Sequence, residues 1–304
     1  MFSNSGSEIS VSSMARADWK RWLRWIIISV IFLVFTAACI ILSIDIVPTD
    51  KKLLKGLENT QGVELQSLIL ENKTIRSLTF INQDSAADLI VFVHGAPGGA
   101  SAFKSYIKDH RLQESFNMLS YDRPGYNRDA DEIGEPDISI QGHLLAELVE
   151  KSLGDARRVV FVSHSFGGPI AAIAADELED KVLGHVMIAP VISPESEPEF
   201  WYTGIPHIFP FSLFSSKGWK VASTEKLFHK ASLEETLGIW KDISYKVVHF
   251  HGTDDWLAPI ENVDFASARI PERWYRPIIL ESKSHFILWT EQELITREII
   301  DLVD

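Results

Sequence analysis

Val159-Val-Phe-Val-Ser-His-Ser-Phe-Gly-Gly-Pro-Ile-Ala-Ala-Ile-Ala-Ala175 decides the fold of this chain. Val159 to Val162 is a β-branched and aromatic run of the kind that fills a buried central strand. Gly167, Gly168 and Pro169 open an Ala-rich segment that reads as a helix, with proline where a first turn tolerates it. Between strand and helix stands Ser163-His164-Ser165-Phe166-Gly167, a small-x-Ser-x-Gly pattern in which Ser163 replaces the usual first glycine. A turn this sharp needs small neighbours two residues either side of its apex. The geometry lifts the Ser165 hydroxyl onto a helix N-terminus, where backbone N–H groups and the positive dipole end favour an oxyanion. An ordinary strand-turn-helix joint can carry the same pattern, so the reading needs a base, an acid and an oxyanion loop from elsewhere in the chain.

Working outward, Asp88-Leu-Ile-Val-Phe-Val93 is an almost unbroken apolar strand, the mark of a sheet covered on both faces. It runs into His94-Gly95-Ala96-Pro97-Gly98-Gly99. A helical stretch over roughly 100–110 follows, then a strand at Asn117–Tyr121 that ends in Asp122-Arg-Pro-Gly-Tyr126. A helix near Ser139–Leu153 leads to the Ser165 turn, and a strand at Gly184–Ala189 comes after it. Ahead of these, strand-like runs Val63–Leu70 and Thr74–Ile81 are joined at Glu71-Asn72-Lys73 as a hairpin. From Leu89 onward strands and helices alternate, which predicts a mostly parallel, doubly wound α/β sheet flanked by helices.

At 191–240 the alternation breaks. Nine aromatic residues there, from Phe200 to Trp240, together with Pro194, Pro198, Pro206 and Pro210, read as an inserted cap of short helices. Alternation resumes with strand Lys246–Phe250, helix Ile260–Ala268, strand Trp274–Leu280 and a last helix Glu291–Val303. The expected organisation is a disordered tail over 1–18, an anchor over 19–46, a linker over 47–62 and one α/β domain over 63–304.

The N-terminal region carries its own signal. Trp19-Lys-Arg-Trp-Leu-Arg-Trp25 mixes cations with tryptophans three apart, and Ile26 to Ile44 holds no charge. That length crosses a bilayer as a helix, with Trp19, Trp22 and Trp25 suited to the interface. A cleaved signal peptide is the rival, but the apolar core is long for one. Cys39, the only cysteine, follows Ala37-Ala38 as in a lipoprotein cleavage site, yet Thr36 and the apolar Ile40-Ile-Leu42 argue against that. Arg16, Lys20, Arg21 and Arg24 precede the span and Lys51, Lys52 and Lys55 follow it. This four-to-three excess favours a cytoplasmic N-terminus and a catalytic domain on the non-cytoplasmic side. Beyond residue 44 the chain has 25 Lys and Arg against 40 Asp and Glu, a net −15, which excludes nucleic acid as a natural partner.

From about residue 63 to 304 the chain resembles the α/β-hydrolase superfamily, and within it a membrane-anchored, bacterial-type serine hydrolase with a cap insertion. His94 to Gly99 is similar to the family's oxyanion loop, and Asp122-Arg123-Pro124-Gly125-Tyr126 to its D-x-x-G turn. Ser163 to Gly168 matches the nucleophile elbow. His251-Gly-Thr-Asp-Asp-Trp-Leu-Ala-Pro259 matches the G-x-x-D-x-x-x-P loop that carries the acid. Ser284-His285-Phe286 sits where the family places its histidine. The resemblance implies Ser165 as nucleophile, His285 as base and Asp255 as acid, in the order Ser…Asp…His. It implies the backbone N–H groups of Ala96 and Phe166 as the oxyanion hole. Asp254 is the alternative acid, with helix capping as its other role. His94, Asp122 and Arg123 are expected to hold loops, and His164 to point away from the nucleophile and pack.

The implied activity is hydrolysis of a carboxylic ester or related acyl bond in an apolar, small-to-medium substrate, with no cofactor or metal. A serine at the elbow sets the chain apart from relatives that use a carboxylate nucleophile, the dehalogenases and epoxide hydrolases. Two other classes stand beside it. One is an inactive α/β-hydrolase fold used for binding or signalling, which the intact Ser165, Asp255 and His285 argue against. The other is a metal-dependent hydrolase built on His249 and His251, two imidazoles on one face of a strand.

Overall fold

The computed structural model describes residues 9–127, 134–154 and 156–303. Its strands are β1 (Val63–Leu70), β2 (Lys73–Phe80), β3 (Leu89–Val93), β4 (Asn117–Tyr121), β5 (Val159–His164), β6 (Val182–Ile188), β7 (Lys246–Gly252) and β8 (Tyr275–Leu280). The helices are α1 (Ile9–Ser43), α2 (Asp50–Leu54), α3 (Lys104–Ile107), α4 (His110–Ser115) and α5 (Ile138–Ser152). They continue with α6 (Gly167–Leu178), α7 (Lys217–Glu235), α8 (Glu261–Arg269), α9 (Ile287–Thr290) and α10 (Gln292–Val303). All eight strands form one sheet in the order β1-β2-β4-β3-β5-β6-β7-β8. β1 and β2 are antiparallel; β3 to β8 run parallel.

The unbroken apolar runs are explained by cover on both faces. Leu89, Val91 and Val93 of β3 and Val159 and Phe161 of β5 pack toward α5, α6 and α8. Ile90, Phe92, Val160 and Val162 pack the other way, among Tyr106, Leu112, Ile295 and Ile299 of α3, α4 and α10. The hairpin forms as its sequence predicts. Leu70 pairs with Lys73, so Glu71 and Asn72 make a two-residue turn with φ of 44° and 65°. Left-handed backbone at both positions is what the strand twist demands of such a turn.

Three regions differ from the sequence expectation. Helix α1 begins at Ile9 rather than near Trp19, so residues 9–18, expected as part of a disordered tail, are helical; residues 1–8 lie outside the described residues. Once the long apolar helix exists, adding residues to its end is far easier than nucleating a new one. Residues 47–62 are not a free linker. Leu53 and Leu57 are buried in the core, and Asp50 pairs with the buried Arg76 at 2.8 Å. A leucine pair four residues apart is too short a pattern to register as an amphipathic helix, yet burying each leucine contributes about 2 kcal/mol. The cap, expected as short helices, has its short turns at Ile205–His207, Phe211–Leu213 and Leu237–Asp242, but its main element is the 19-residue α7. All four cap prolines precede residue 211, which leaves the later half free to form a long helix.

Candidate active site

The parallel strands end on one edge, and the candidate residues gather there. Ser165 follows β5 with φ +53°, a left-handed conformation that costs a residue with a side chain about 1–3 kcal/mol. Its N–H donates to the Ile188 carbonyl at 3.0 Å, and its carbonyl accepts from Gly168 N–H at 3.0 Å. The neighbours must be small. A Cβ on Gly167 would stand 2.4 Å from the Val93 carbonyl oxygen, and one on Gly95 would stand 2.9 Å from Ser165 Cβ. Ser163 uses its hydroxyl as well as its size, lying 2.7 Å from His185 Nε2.

The loop after β3 is fixed from below. His94 Nε2 accepts the Arg123 N–H at 3.0 Å, so the neutral ring carries its proton on Nδ1 and donates it to Gly95 O at 2.7 Å. Burial, reinforced by the Arg123 charge, holds the His94 pKa well below the ordinary histidine value. The Arg123 guanidinium donates to the His94 carbonyl at 3.0 Å, to Gly95 O at 3.1 Å and to Gln141 at 2.8 Å. Its charge is met by Glu225 of α7, which also accepts from Tyr126 at 2.7 Å. Asp122 accepts from Ala100 N–H and from Arg76. Both residues of the pair therefore hold loops. Among the described residues, neither the Ala96 nor the Phe166 N–H donates to a backbone carbonyl. The Phe166 ring lies between the Arg123 guanidinium and the His229 ring of the cap, which fixes the residue that follows Ser165.

Acid and base candidates meet. His285 Nδ1 donates to Asp255 Oδ2 at 2.8 Å. The other Asp255 oxygen accepts from Leu257 N–H at 3.0 Å and Ala258 N–H at 2.8 Å, so the carboxylate is aimed by its own loop. Asp254 is exposed, and among the described residues its carboxylate meets only Thr253 Oγ1, at 3.4 Å. The Ser165 hydroxyl is not hydrogen-bonded to His285, whose Nδ1 bond to Asp255 is formed. Nucleophile–base contacts commonly tighten only with substrate in place.

Residues 90–299 match the pattern of the alpha/beta hydrolase family. The chain belongs to that family. Among curated proteins none matches its sequence. The hydrolase is similar in fold to a membrane phospholipase A described as a bacterial virulence factor, with 16% identity over 94% of this chain and 98% of the other, and a TM-score of 0.60. It is similar also to a lipase candidate of Acinetobacter baumannii AYE (14%, 84% and 96%, 0.62). A third is the haloalkane dehalogenase DatA of Agrobacterium tumefaciens C58 (15%, 80% and 97%, 0.62). Likenesses at such identities speak for the fold; the chemistry has to come from the hydrolase's own residues.

Two sets of histidines around the site have partners that the sequence does not show. His164 packs, and its partner is His285. Its ring lies 4.8 Å from that of His285, and Nε2 donates to the His285 carbonyl at 3.1 Å. Burial pushes its pKa to about 3, so it stays a neutral donor. His249 and His251 do not form an open metal pair. His251 Nε2 donates to Ala258 O at 2.7 Å, leaving Nδ1 to accept from His249 Nε2 at 3.0 Å. His249 Nδ1 then accepts from the Tyr275 hydroxyl at 2.7 Å. Each ring nitrogen is committed, and burial lowers both pKa values. The row runs from Tyr275 to the carbonyl of Ala258 and braces the loop that aims Asp255. A strand carrying His-x-His gives the pairing; only the fold shows its direction.

Around the site stands a rim of aromatic residues. Trp256 follows Asp255, Phe286 follows His285, and both are more than half exposed; Trp289 beside His164 is nearly half exposed. Phe200 of the cap meets Trp256 edge-on at 5.8 Å. A groove of about 390 Å³, lined in part by Glu197, Phe200, Thr203, Lys226 and Leu227, opens in the cap and includes none of Ser165, Asp255 or His285 in its walls.

Proposed function

We propose that this α/β-hydrolase is a membrane-anchored serine hydrolase that cleaves a carboxylic ester, or a related acyl bond, in an apolar small-to-medium substrate. The observation that carries the reading is the 2.8 Å His285–Asp255 hydrogen bond beside a left-handed Ser165. His285 Nε2 takes the Ser165 proton as Oγ attacks the carbonyl carbon. The oxygen that gains the negative charge is received by the N–H groups of Ala96 and Phe166. His285 then gives its proton to the leaving alcohol, and the acyl group rests on Ser165. Water, deprotonated by the same imidazole, repeats the sequence and frees the acid. Asp255 keeps the proton on Nδ1 and stabilises the charged ring that forms in each half.

A serine at the elbow supports acyl chemistry. The aromatic rim supports an apolar substrate, each buried CH₂ contributing about 0.8 kcal/mol. Anchoring is supported by a 25-residue candidate span, Trp19–Ser43, uncharged from Trp25 on, of which Ile31, Phe32, Leu33 and Val34 are well exposed. The end of α1 is also joined to the cap: Ser216 donates from N–H to Leu42 O at 2.8 Å and from its hydroxyl to Ile44 O at 3.1 Å. A segment so joined is a part of the folded protein, which supports retention over cleavage. The basic residues ahead of the span orient the hydrolase domain to the non-cytoplasmic side.

The test is a series of p-nitrophenyl esters from acetate to palmitate, offered to the full chain and to Ser165→Ala. The reading predicts kcat/KM that rises over the first carbons, and a kcat for the variant lower by roughly 10³-fold or more. A flat profile, a preference for charged acyl groups, or an active Ser165→Ala enzyme would sink it.

A further inference from the structure

The cap segment between Phe200 and Phe214 has one end at the catalytic rim and the other on the apolar helix. Phe200 touches Trp256, the neighbour of Asp255, while the ring of Phe211 lies 5.2 Å from that of Phe35. Phe35 is eight residues before the end of α1 at Ser43, about 12 Å along the axis at 1.5 Å per residue. About 20 apolar residues cross the hydrocarbon of a bilayer. Even a span begun as early as Trp19 reaches Ala38 on that count, and a span begun later ends later. Phe35 stays inside the hydrocarbon in every such placement. Whatever packs beside it stays there too.

The composition of the segment fits that depth. From Phe200 to Thr224 there is no Asp or Glu, in a chain that has 42 of them. Ile208, Phe209, Leu213 and Phe214 are exposed, Phe209 at 76% and Leu213 at 71%, and they flank Phe211. Lys217 follows Ser216, the residue bonded to the carbonyls of Leu42 and Ile44 where the apolar helix ends. The Lys217 Nζ donates to the Asn127 carbonyl at 3.2 Å, while Phe211 lies deeper, against Phe35 of that helix.

We propose that the outer face of the cap, residues 205–214, is sunk in the lipid bilayer alongside α1, so that the catalytic rim borders the membrane and draws on amphiphilic esters held in it. The occupant of this face is lipid hydrocarbon, and its continuity with the span carries the assignment. The inference rests on the reading of α1 as a retained anchor.

Spin labelling separates the two. In the full chain with Cys39→Ala, single cysteines at Ile31 (Ile31→Cys), Phe209 (Phe209→Cys), Leu213 (Leu213→Cys) and Glu114 (Glu114→Cys) are labelled with a nitroxide, and the protein is reconstituted in phosphatidylcholine vesicles. Accessibility to oxygen and to a water-soluble nickel chelate is then read at each site. The proposal predicts an oxygen-to-nickel ratio at Phe209 and Leu213 several-fold above that at Glu114, and close to that at Ile31. Ratios at both cap sites equal to Glu114, with Ile31 lipid-like, would overturn the docking and leave the anchor standing. An aqueous Ile31 would overturn the anchor and the docking with it. Phe209 and Leu213 are exposed, so labels there disturb no core contact, and two sites guard against one that misfolds.

Discussion

On the inner side of the cap, Glu225 and His229 of α7 are buried, one against Arg123 and Tyr126, the other against Phe166. On the outer side, Phe209 and Leu213 stand almost free of the protein. The inner side buries a charged pair among apolar residues such as Val221 and Leu233, while large apolar side chains stand open on the outer side. The contrast teaches that the cap is bolted to the loop after β3 by charge rather than laid over it as a loose apolar lid.

The largest expected effect lies at the candidate acid, on the edge that the inner side of the cap covers. Asp255→Asn should lower kcat on an activated ester by about 10⁴-fold through loss of the correct imidazole tautomer, while Asp254→Asn stays within about twofold. Equal effects of the two would break the assignment.

The next effect is on stability. Arg123→Met leaves Glu225 charged and unpaired in the core and should cost about 3–5 kcal/mol in chemical denaturation. Arg123→Met combined with Glu225→Leu should recover much of that, because no lone charge remains. On the outer face, Leu213→Ser should change stability by no more than about 0.5 kcal/mol. Similar losses at Leu213 and Arg123 would erase the distinction between the two sides.

A gradual effect, spread over pH, follows from the buried histidines. His94, His164, His185, His249 and His251 all have folded pKa values pushed down by burial, His164 and His185 to about 3. Between that value and the unfolded value of about 6.5 the unfolded chain binds the proton and the folded chain does not. Stability is therefore complete above the unfolded pKa and falls as pH drops through this window, each such group adding up to about 1.4 kcal/mol per pH unit. Denaturation midpoints at pH 7, 6, 5 and 4 should show the fall, and His185→Gln should make it shallower. An unchanged slope in that variant would count against a neutral buried His185.

Much of this was legible in the sequence. The strand-turn-helix at Ser165 and the succession of strands and helices follow from local patterns, because a strand, a sharp turn and a helix start are each decided within a few residues. The nearness of Asp255 to His285 was implied by the resemblance to the hydrolase family. What was not legible depends on distance or direction. Arg123 and Glu225 are 102 residues apart, and nothing near either marks the other. His249 and His251 share a face, as alternation predicts, but their partners Tyr275 and Ala258 come from a neighbouring strand and a loop. His164 reads as a packing residue and is one, but only the fold shows His285, between the last strand and α9, as its partner. Leu53 and Leu57 sit in a lysine-rich stretch whose charges hide a short buried turn.

Reaction of the full chain with a fluorophosphonate probe, followed by mass spectrometry of its peptides, tests the catalytic assignment most directly. The account predicts one adduct, on Ser165, lost in Ser165→Ala and sharply slowed in His285→Ala. An enzyme that hydrolyses esters without labelling, or that carries the adduct on another residue, would contradict it.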